Sequence, residues 1–249
     1  LDLIEGFRFD SGYISSTFIN NERSGTVEYN NPLILITDEK VETVEQILPA
    51  LEIAARDSSP LLIVADIEGQ ALAAVIANAV RGTMKIAAAK PPRYGEERRN
   101  ILKDMAASTG ATFITRENGV PLSKVNLSHF GNCKSVSLNK GWTTIVGGKG
   151  SEEDIERQIE ALKTEILQTD DIKACERIQD RITRLASGVA VIRVGAATEV
   201  EMLEKKHRID DALEAVRSAQ EEGIVAGGGT ALIRATDSLF IETSSEEQS

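Results

Sequence analysis

The stretch PLLIVADIEGQALAAVIANAVRG, residues 60–82, joins two segments whose apolar residues have different spacing. Residues 60–66 begin with a proline and continue as an apolar run, which is typical of a strand buried on both faces of a sheet. The rest of the stretch has apolar residues at helical spacing, namely Leu72, Val75, Ile76, Ala79 and Val80. A buried strand followed directly by a packed helix predicts an α/β fold.

The same alternation extends to both sides of this stretch. Apolar runs at 32–37, 84–90 and 111–116 each predict a further buried strand. A helix is predicted to begin at Pro49, because proline suits the first helical position. Another is predicted over 95–110, where acidic residues come first and a glycine comes last.

The last part of the chain has a different pattern. Residues 134–148 predict a hairpin that turns at 139–141. From Ser151 onward, two amphipathic segments joined by a short loop predict a helical hairpin, with Cys175 as a core residue in its seam. A strand is then predicted over 187–198 and a long helix over 199–222, which Gly223 ends.

Composition narrows the classes of partner. The 249 residues carry a net charge of −11, which disfavours nucleic acid and anionic membranes as partners. No apolar run is long enough to predict a transmembrane helix. The two cysteines, Cys133 and Cys175, are far apart, which favours a reducing compartment. The chain starts at Leu1 within a patterned segment, and we expect it to be a processed chain or a piece of a longer one.

Two features allow more than one interpretation from the residues alone. The glycines of 227–229 follow a long helix, and they suit a phosphate contact, a hinge or a simple helix end. Asp211 suits a catalytic carboxylate, but it also lies on a helix face with Glu204 and Arg208, as in an ordinary solvated row of salt bridges. Neither a phosphate loop nor a metal-binding spacing occurs in the sequence, so no metal site is predicted.

The helix predicted within 69–82 has small or apolar residues almost all the way round it. One explanation is a helix buried on both sides. The other is an exposed apolar groove shared with the preceding helix, which carries Leu48 and Leu51. Such a groove would bind polypeptide.

Three segments of the sequence resemble the GroEL-type, or group I, chaperonins. They are LDLIEGFRFDSGYIS at 1–15, PLLIVADIEGQALAAVIANAVRG at 60–82, and SGVAVIRVGAATEVEMLEKKHRIDDALEAVRSAQEEGIVAGGGTALIRA at 187–235. The resemblance runs from Leu1 to about Ala235, with short gaps, and residues from about Phe240 no longer follow the family. Arg93, in KPPRYGEE, stands where the family has a glycine.

The resemblance implies a subunit of a ring-forming chaperonin that assists ATP-dependent folding. It assigns residues 1–4 to a hinge strand, 5–189 to the apical domain, 190–222 to the intermediate domain, and 223–249 to the start of the equatorial domain with a divergent tail. The implied fold is an apical sheet flanked by helices, with a helical hairpin and a long intermediate-domain helix. The family's GDGTTT phosphate loop is not in this sequence.

The resemblance also implies a surface that binds non-native polypeptides and a GroES-type co-chaperonin. Its residues in this sequence are Tyr13, Ser15, Thr17, Phe18, Leu48, Leu51, Leu72, Ile76, Ala77 and Asn78. The family often has an aromatic residue at Thr17 and a valine at Ala77, so the apolar surface is somewhat reduced here.

By the same resemblance, Asp211 orients the water that attacks ATP, and the backbone of Gly228 lies against the nucleotide. Gly6, Gly188 and Gly223 match hinge positions. ATP and Mg²⁺ are implied for the intact subunit, whereas no cofactor or ATPase activity is expected of this chain alone. The implied location is bacterial cytoplasm, or the stroma or matrix of an organelle. Two alternatives stay open: a stand-alone, ATP-independent polypeptide-binding module, and an unrelated small α/β enzyme.

Overall fold

The computed structural model describes residues 2–115, 117, 121–169, 171–186, 188–192 and 194–236. The chain divides into two compact units. Unit 1 ends at Val191, and unit 2 begins at Ile192. Among the described residues, no helix combines the length and apolar character needed to cross a membrane.

Unit 1 contains nine strands and five α-helices within its described residues. The strands are β1 (Asp2–Phe9), β2 (Val27–Asn30), β3 (Leu33–Val41), β4 (Leu61–Ile67), β5 (Ile86–Ala89), β6 (Phe113–Ile114), β7 (Gly131–Leu138), β8 (Thr143–Gly148) and β9 (Gly188–Val191). The helices are α1 (Val44–Asp57), α2 (Gly69–Val80), α3 (Gly95–Thr109), α4 (Glu152–Leu167) and α5 (Ile172–Ala186). In unit 2, the described helices are α6 (Glu199–Glu222) and α7 (Thr230–Thr236).

The strands of unit 1 form one mixed sheet in the order β5-β4-β3-β7-β8-β1-β9. In addition, β6 pairs with β3, and β2 pairs with β7. The pairs among β3, β4, β5 and β6 are parallel, whereas β7, β8, β1 and β9 pair antiparallel. Residues 61–65 and 86–89 are fully buried, as expected for strands covered on both faces. The predicted α/β fold is confirmed.

Most predicted elements are present, but several have different bounds, and two of them differ most. Helix α1 begins at Val44, so the prediction that it begins at Pro49 is wrong. The Gln46 Oε1 atom accepts a hydrogen bond from the Thr43 backbone N–H at 3.0 Å and thereby fixes an earlier start. The strand predicted over 187–198 ends at Val191, and residues 194–198 have no regular structure.

A buried ion pair joins the helical hairpin of α4 and α5 to α3. The Arg181 guanidinium donates to both carboxylate oxygens of Asp104, at 2.8 and 2.9 Å. The Gln158 amide donates to the same carboxylate at 3.1 Å. The Asp104 side chain is only 2% exposed, so these bonds replace the water that it loses. Cys175, predicted in the core of the hairpin seam, is half-buried there.

Candidate polypeptide-binding groove

Helices α1 and α2 begin side by side at the carboxyl ends of two adjacent parallel strands. The Ala71 backbone N–H donates to the Glu42 carbonyl oxygen at 3.1 Å, and the Glu68 N–H donates to the Val41 oxygen at 2.9 Å. These bonds hold the first turn of α2 against the segment that leads into α1. Because both helices follow parallel strands, they run in the same direction along the sheet.

Helix α2 is buried on one side only. Ala71 and Val75 are fully buried against the sheet, whereas Ala73 and Val80 are exposed on the opposite side. The structure therefore excludes a helix buried on both sides and leaves an apolar surface open beside α1. We call the outer surface shared by α1 and α2 the groove.

Five of the predicted binding residues lie on these helices with side chains at least partly exposed. They are Leu48, which is 45% exposed, and the half-buried Leu72, Ile76, Ala77 and Asn78. Leu51 is different, because it is only 6% exposed and belongs to the core beneath the groove. Val80, which is 66% exposed, extends the apolar surface and was not among the predicted residues. Its helical spacing with Leu72 and Ile76 was the available signal.

The segment from Gly12 to Ile19 packs against α2 and β5. The Ile14 backbone N–H donates to the Ala88 oxygen at 2.8 Å, and the Lys90 N–H donates to the Gly12 oxygen at 3.1 Å. A side chain at Gly12 would not fit, since its Cβ would lie 1.9 Å from the Asn139 carbonyl oxygen. The segment is thus fixed to the end of the sheet by its backbone.

The four predicted binding residues on this segment differ in exposure. Tyr13 and Ser15 are half-buried and Thr17 is exposed, but Phe18 is only 3% exposed and belongs to the core. The Ser15 and Thr17 hydroxyl oxygens lie 2.8 Å apart and hydrogen-bond to each other. The segment therefore presents the polar side chain of Thr17 to solvent, at a position where the resemblance gave an aromatic residue as frequent in the family.

Asn78 is the polar member of the predicted set, and its amide is already used. Its Nδ2 atom donates to the Ala74 oxygen at 2.9 Å, while the Thr83 hydroxyl donates to its Oδ1 atom at 3.2 Å. These bonds stabilise the last turn of α2. A bound chain would gain a contact with this amide by exchanging one of them.

Charged side chains surround the start of the groove. The Lys40 ammonium lies 2.9 Å from a carboxylate oxygen of Glu42 and 2.9 Å from one of Glu68. Hydrogen bonds to these two carboxylates raise the pKa of Lys40 above its usual range. Lys40 therefore remains charged and links Glu42, which lies just before α1, to Glu68, which lies just before α2.

A cavity of about 460 Å³ lies on the other side of α2, between the end of that helix, residues 17–20 and β2. Tyr29 lines it and donates a hydrogen bond from its hydroxyl to the Ile86 oxygen at 3.1 Å. Burial raises the pKa of Tyr29 to about 12, so this hydroxyl stays protonated. Thr17 and Phe18 also line the cavity, which places it next to the predicted binding segment.

Two of the predicted hinge residues lie on neighbouring strands. Gly6 is in β1 and pairs with Val146, while Gly188 is in β9 and pairs with Glu5. Gly188 therefore lies opposite Glu5, the residue next to Gly6, in the pairing of β1 with β9. In unit 2, the predicted hinge residue Gly223 ends α6 with a φ of +82°, a backbone conformation that favours glycine.

The predicted nucleotide residues also lie in unit 2. Asp211 is exposed on α6, one turn after Arg208, which pairs with Glu204 at 2.7 Å. Gly228 lies in the turn before α7 with a φ of +62°, and a side chain there would meet open space. Glycine is therefore needed for backbone conformation rather than for packing. Within the described part of the chain, no cluster of side chains is suited to hold a metal ion.

Comparison with known protein families shows the class of protein to which the chain belongs. A sequence model of the TCP-1/cpn60 chaperonin family matches residues 19–249, so the chain belongs to that family. It accordingly has a chaperonin-type role in protein folding. Membership also implies assembly into an oligomer and binding of substrate polypeptide.

Proposed function

We propose that the chain is part of a GroEL-type, group I subunit and that residues 5–189, which make up most of unit 1, are its apical domain. In this proposal the groove holds non-native polypeptides and a GroES-type co-chaperonin. The observation that supports it is that α2 is buried on one side only and exposes apolar residues beside α1. The remaining domain assignments follow the resemblance, with α6 as the intermediate-domain helix.

The chemistry of the groove suits binding without sequence specificity. Burying apolar surface contributes about 25 cal/mol per Å² whatever the identity of the apolar partner. The exposed or half-buried groove residues Leu48, Leu72, Ile76, Ala77 and Val80 are aliphatic, so they impose few geometric demands. Leu51 and Phe18 would support this surface from below rather than contact a client directly.

Substitution of the groove tests this proposal. The double variant Leu72→Ser/Ile76→Ser should weaken capture of an unfolded client roughly tenfold or more, because it removes apolar contact area from the centre of the groove. Titration of a fluorescent, reduced and unfolded client measures the capture. The matched control is Leu167→Ser, which also exchanges an exposed leucine on a helix but lies on α4. Unchanged capture by the double variant, with an intact circular dichroism spectrum, would place the binding surface elsewhere.

We also propose that unit 2 contributes one side of an ATP site in the intact subunit. ATP with Mg²⁺ would supply the energy for switching, Asp211 would orient a water molecule, and the backbone of Gly228 would lie against the nucleotide. The residues fit this role only in part, because the sequence offers the exposed carboxylate and the open turn but no phosphate loop. Gly6, Gly188 and Gly223 would let the domains move.

The proposal predicts that this chain alone does not hydrolyse ATP, since Asp211 has no phosphate loop to act with. A coupled phosphate-release assay with ATP and Mg²⁺ should give no turnover above the buffer rate. Turnover that is abolished by Asp211→Asn would contradict this prediction. The second candidate, an ATP-independent binding module, is favoured if the open reading frame has no GDGTTT segment before Leu1. A bacterial cytoplasmic or organellar location is part of the first proposal.

A further inference from the structure

The two ends of the groove carry different charges. At the end where α1 and α2 begin, one ammonium group and three exposed carboxylates give a net charge of −2. They are Lys40, Glu42, Glu45 and Glu68. Lys40 is held by two of these carboxylates, each at 2.9 Å, so it cannot also neutralise Glu45.

The opposite end lies where α1 and α2 finish. The Leu61 backbone N–H donates to the Lys85 oxygen at 2.8 Å, and this bond holds together the segments that follow α1 and α2. The charged side chains of the last helical residues and the α2 C-cap at this end are exposed and give a net charge of +1: Arg56, Asp57 and Arg81.

Helix dipoles reduce this difference but do not remove it. Two parallel helices contribute roughly one positive charge at their shared start and roughly one negative charge at their shared end. The start of the groove then remains negative, whereas the end is close to neutral. The apolar residues Leu72 and Ile76 lie between the two ends.

We infer that the groove prefers an apolar segment that carries lysine or arginine on one flank. The apolar part lies along α2, and the basic flank lies at the carboxylates of Glu42, Glu45 and Glu68. This inference rests on the groove proposed above and names the class of client segment that it takes. Charge complementarity at one end also fixes which way the segment lies.

Three fluorescent peptides with one apolar core test the inference. They carry lysines, glutamines or glutamates at one end. At low ionic strength the lysine-flanked peptide should bind about fivefold more tightly than the glutamate-flanked one, a size typical of exposed charge pairs. In Glu45→Gln/Glu68→Gln the ratio should fall below about twofold. Raising the salt concentration should reduce the ratio for the parent chain.

A matched control separates this local effect from the net charge of the chain. Glu153→Gln/Glu176→Gln removes the same charge from exposed positions on α4 and α5. It should keep the parent ratio. The inference is overturned if the groove variant keeps the full ratio, or if the control loses as much as the groove variant. Failure of the glutamine-flanked peptide to bind at all would instead overturn the groove, and this inference with it.

Discussion

At the scale of single residues, Asp104 shows how a few polar contacts fix the packing of a whole hairpin. Its carboxylate is 2% exposed and accepts hydrogen bonds from Arg181 and Gln158. The sequence predicts the helices but not this pair, because Asp104 and Arg181 are 77 positions apart and charged residues are ordinarily expected in solvent. Helical periodicity predicts α3, but it does not reveal that the Asp104 carboxylate is buried in this helix.

Replacing Asp104 tests the importance of this pair. Asp104→Ala should lower the free energy of unfolding by about 3–5 kcal/mol, because it leaves the buried Arg181 without its partner. Urea unfolding followed by circular dichroism measures the loss. Glu160→Ala, which breaks the exposed Glu160–Lys163 pair, is the control and should cost less than about 1 kcal/mol. Similar losses in the two variants would show that burial of the ion pair has no special role.

At the scale of elements, the segment that leads into α3 contains a residue with an unusual backbone conformation. Arg93 has a φ of +57°, a left-handed conformation that residues other than glycine seldom adopt. The resemblance gave glycine as the family's residue here, and the backbone supplies the reason. The Arg93 side chain lies 4.0 Å from Asp10 and 3.6 Å from Glu97, and these exposed pairs offset little of the strain.

This conformation predicts an inverted preference between glycine and alanine. Arg93→Gly should be about 1 kcal/mol more stable than Arg93→Ala, since both lose the ion pairs but only alanine keeps the left-handed strain. Thermal unfolding measures the difference. At Glu160, within the regular helix α4, the order should reverse, with alanine better by about 1 kcal/mol. The idea fails if alanine is the better residue at both positions.

Elements with local signals were predictable, whereas those with distant partners were not. Helix α6 has the predicted bounds because Thr198 caps its start and Gly223 ends it. Strand β1 gave no such signal, because it pairs with β8 and β9, which occur much later in the chain. In the groove, the pattern identified the right helices, but it could not show that Leu51 lies beneath the surface while Leu48 lies on it.

At the scale of the whole molecule, two buried titratable groups predict that the free energy of unfolding falls at alkaline pH. Burial raises the pKa of the Cys133 thiol from 9.0 to about 12, and that of Tyr29 from 10.0 to about 12. Between these values the unfolded chain has lost protons that the folded chain still holds. By linkage, the free energy of unfolding must therefore fall as the pH rises from about 9 to about 12.

Removing either group should make this fall less steep. Cys133→Ala and Tyr29→Phe should each reduce the slope by up to about 1.4 kcal/mol per pH unit. Urea unfolding at a series of alkaline pH values measures it. Val136→Ala is the control, because it removes buried volume without a titratable group and should lower stability at every pH without changing the slope. An unchanged slope in both test variants would contradict the prediction.

The pairing of β1 with β9 has a mechanical consequence. Asp2 lies opposite Val191, so the chain enters and leaves unit 1 at the same end of one antiparallel ladder. Force applied at these two points would open the ladder one residue pair at a time instead of loading all its hydrogen bonds together. Unit 1 should therefore unfold at low force when it is pulled at Asp2 and Val191, although its core is well packed.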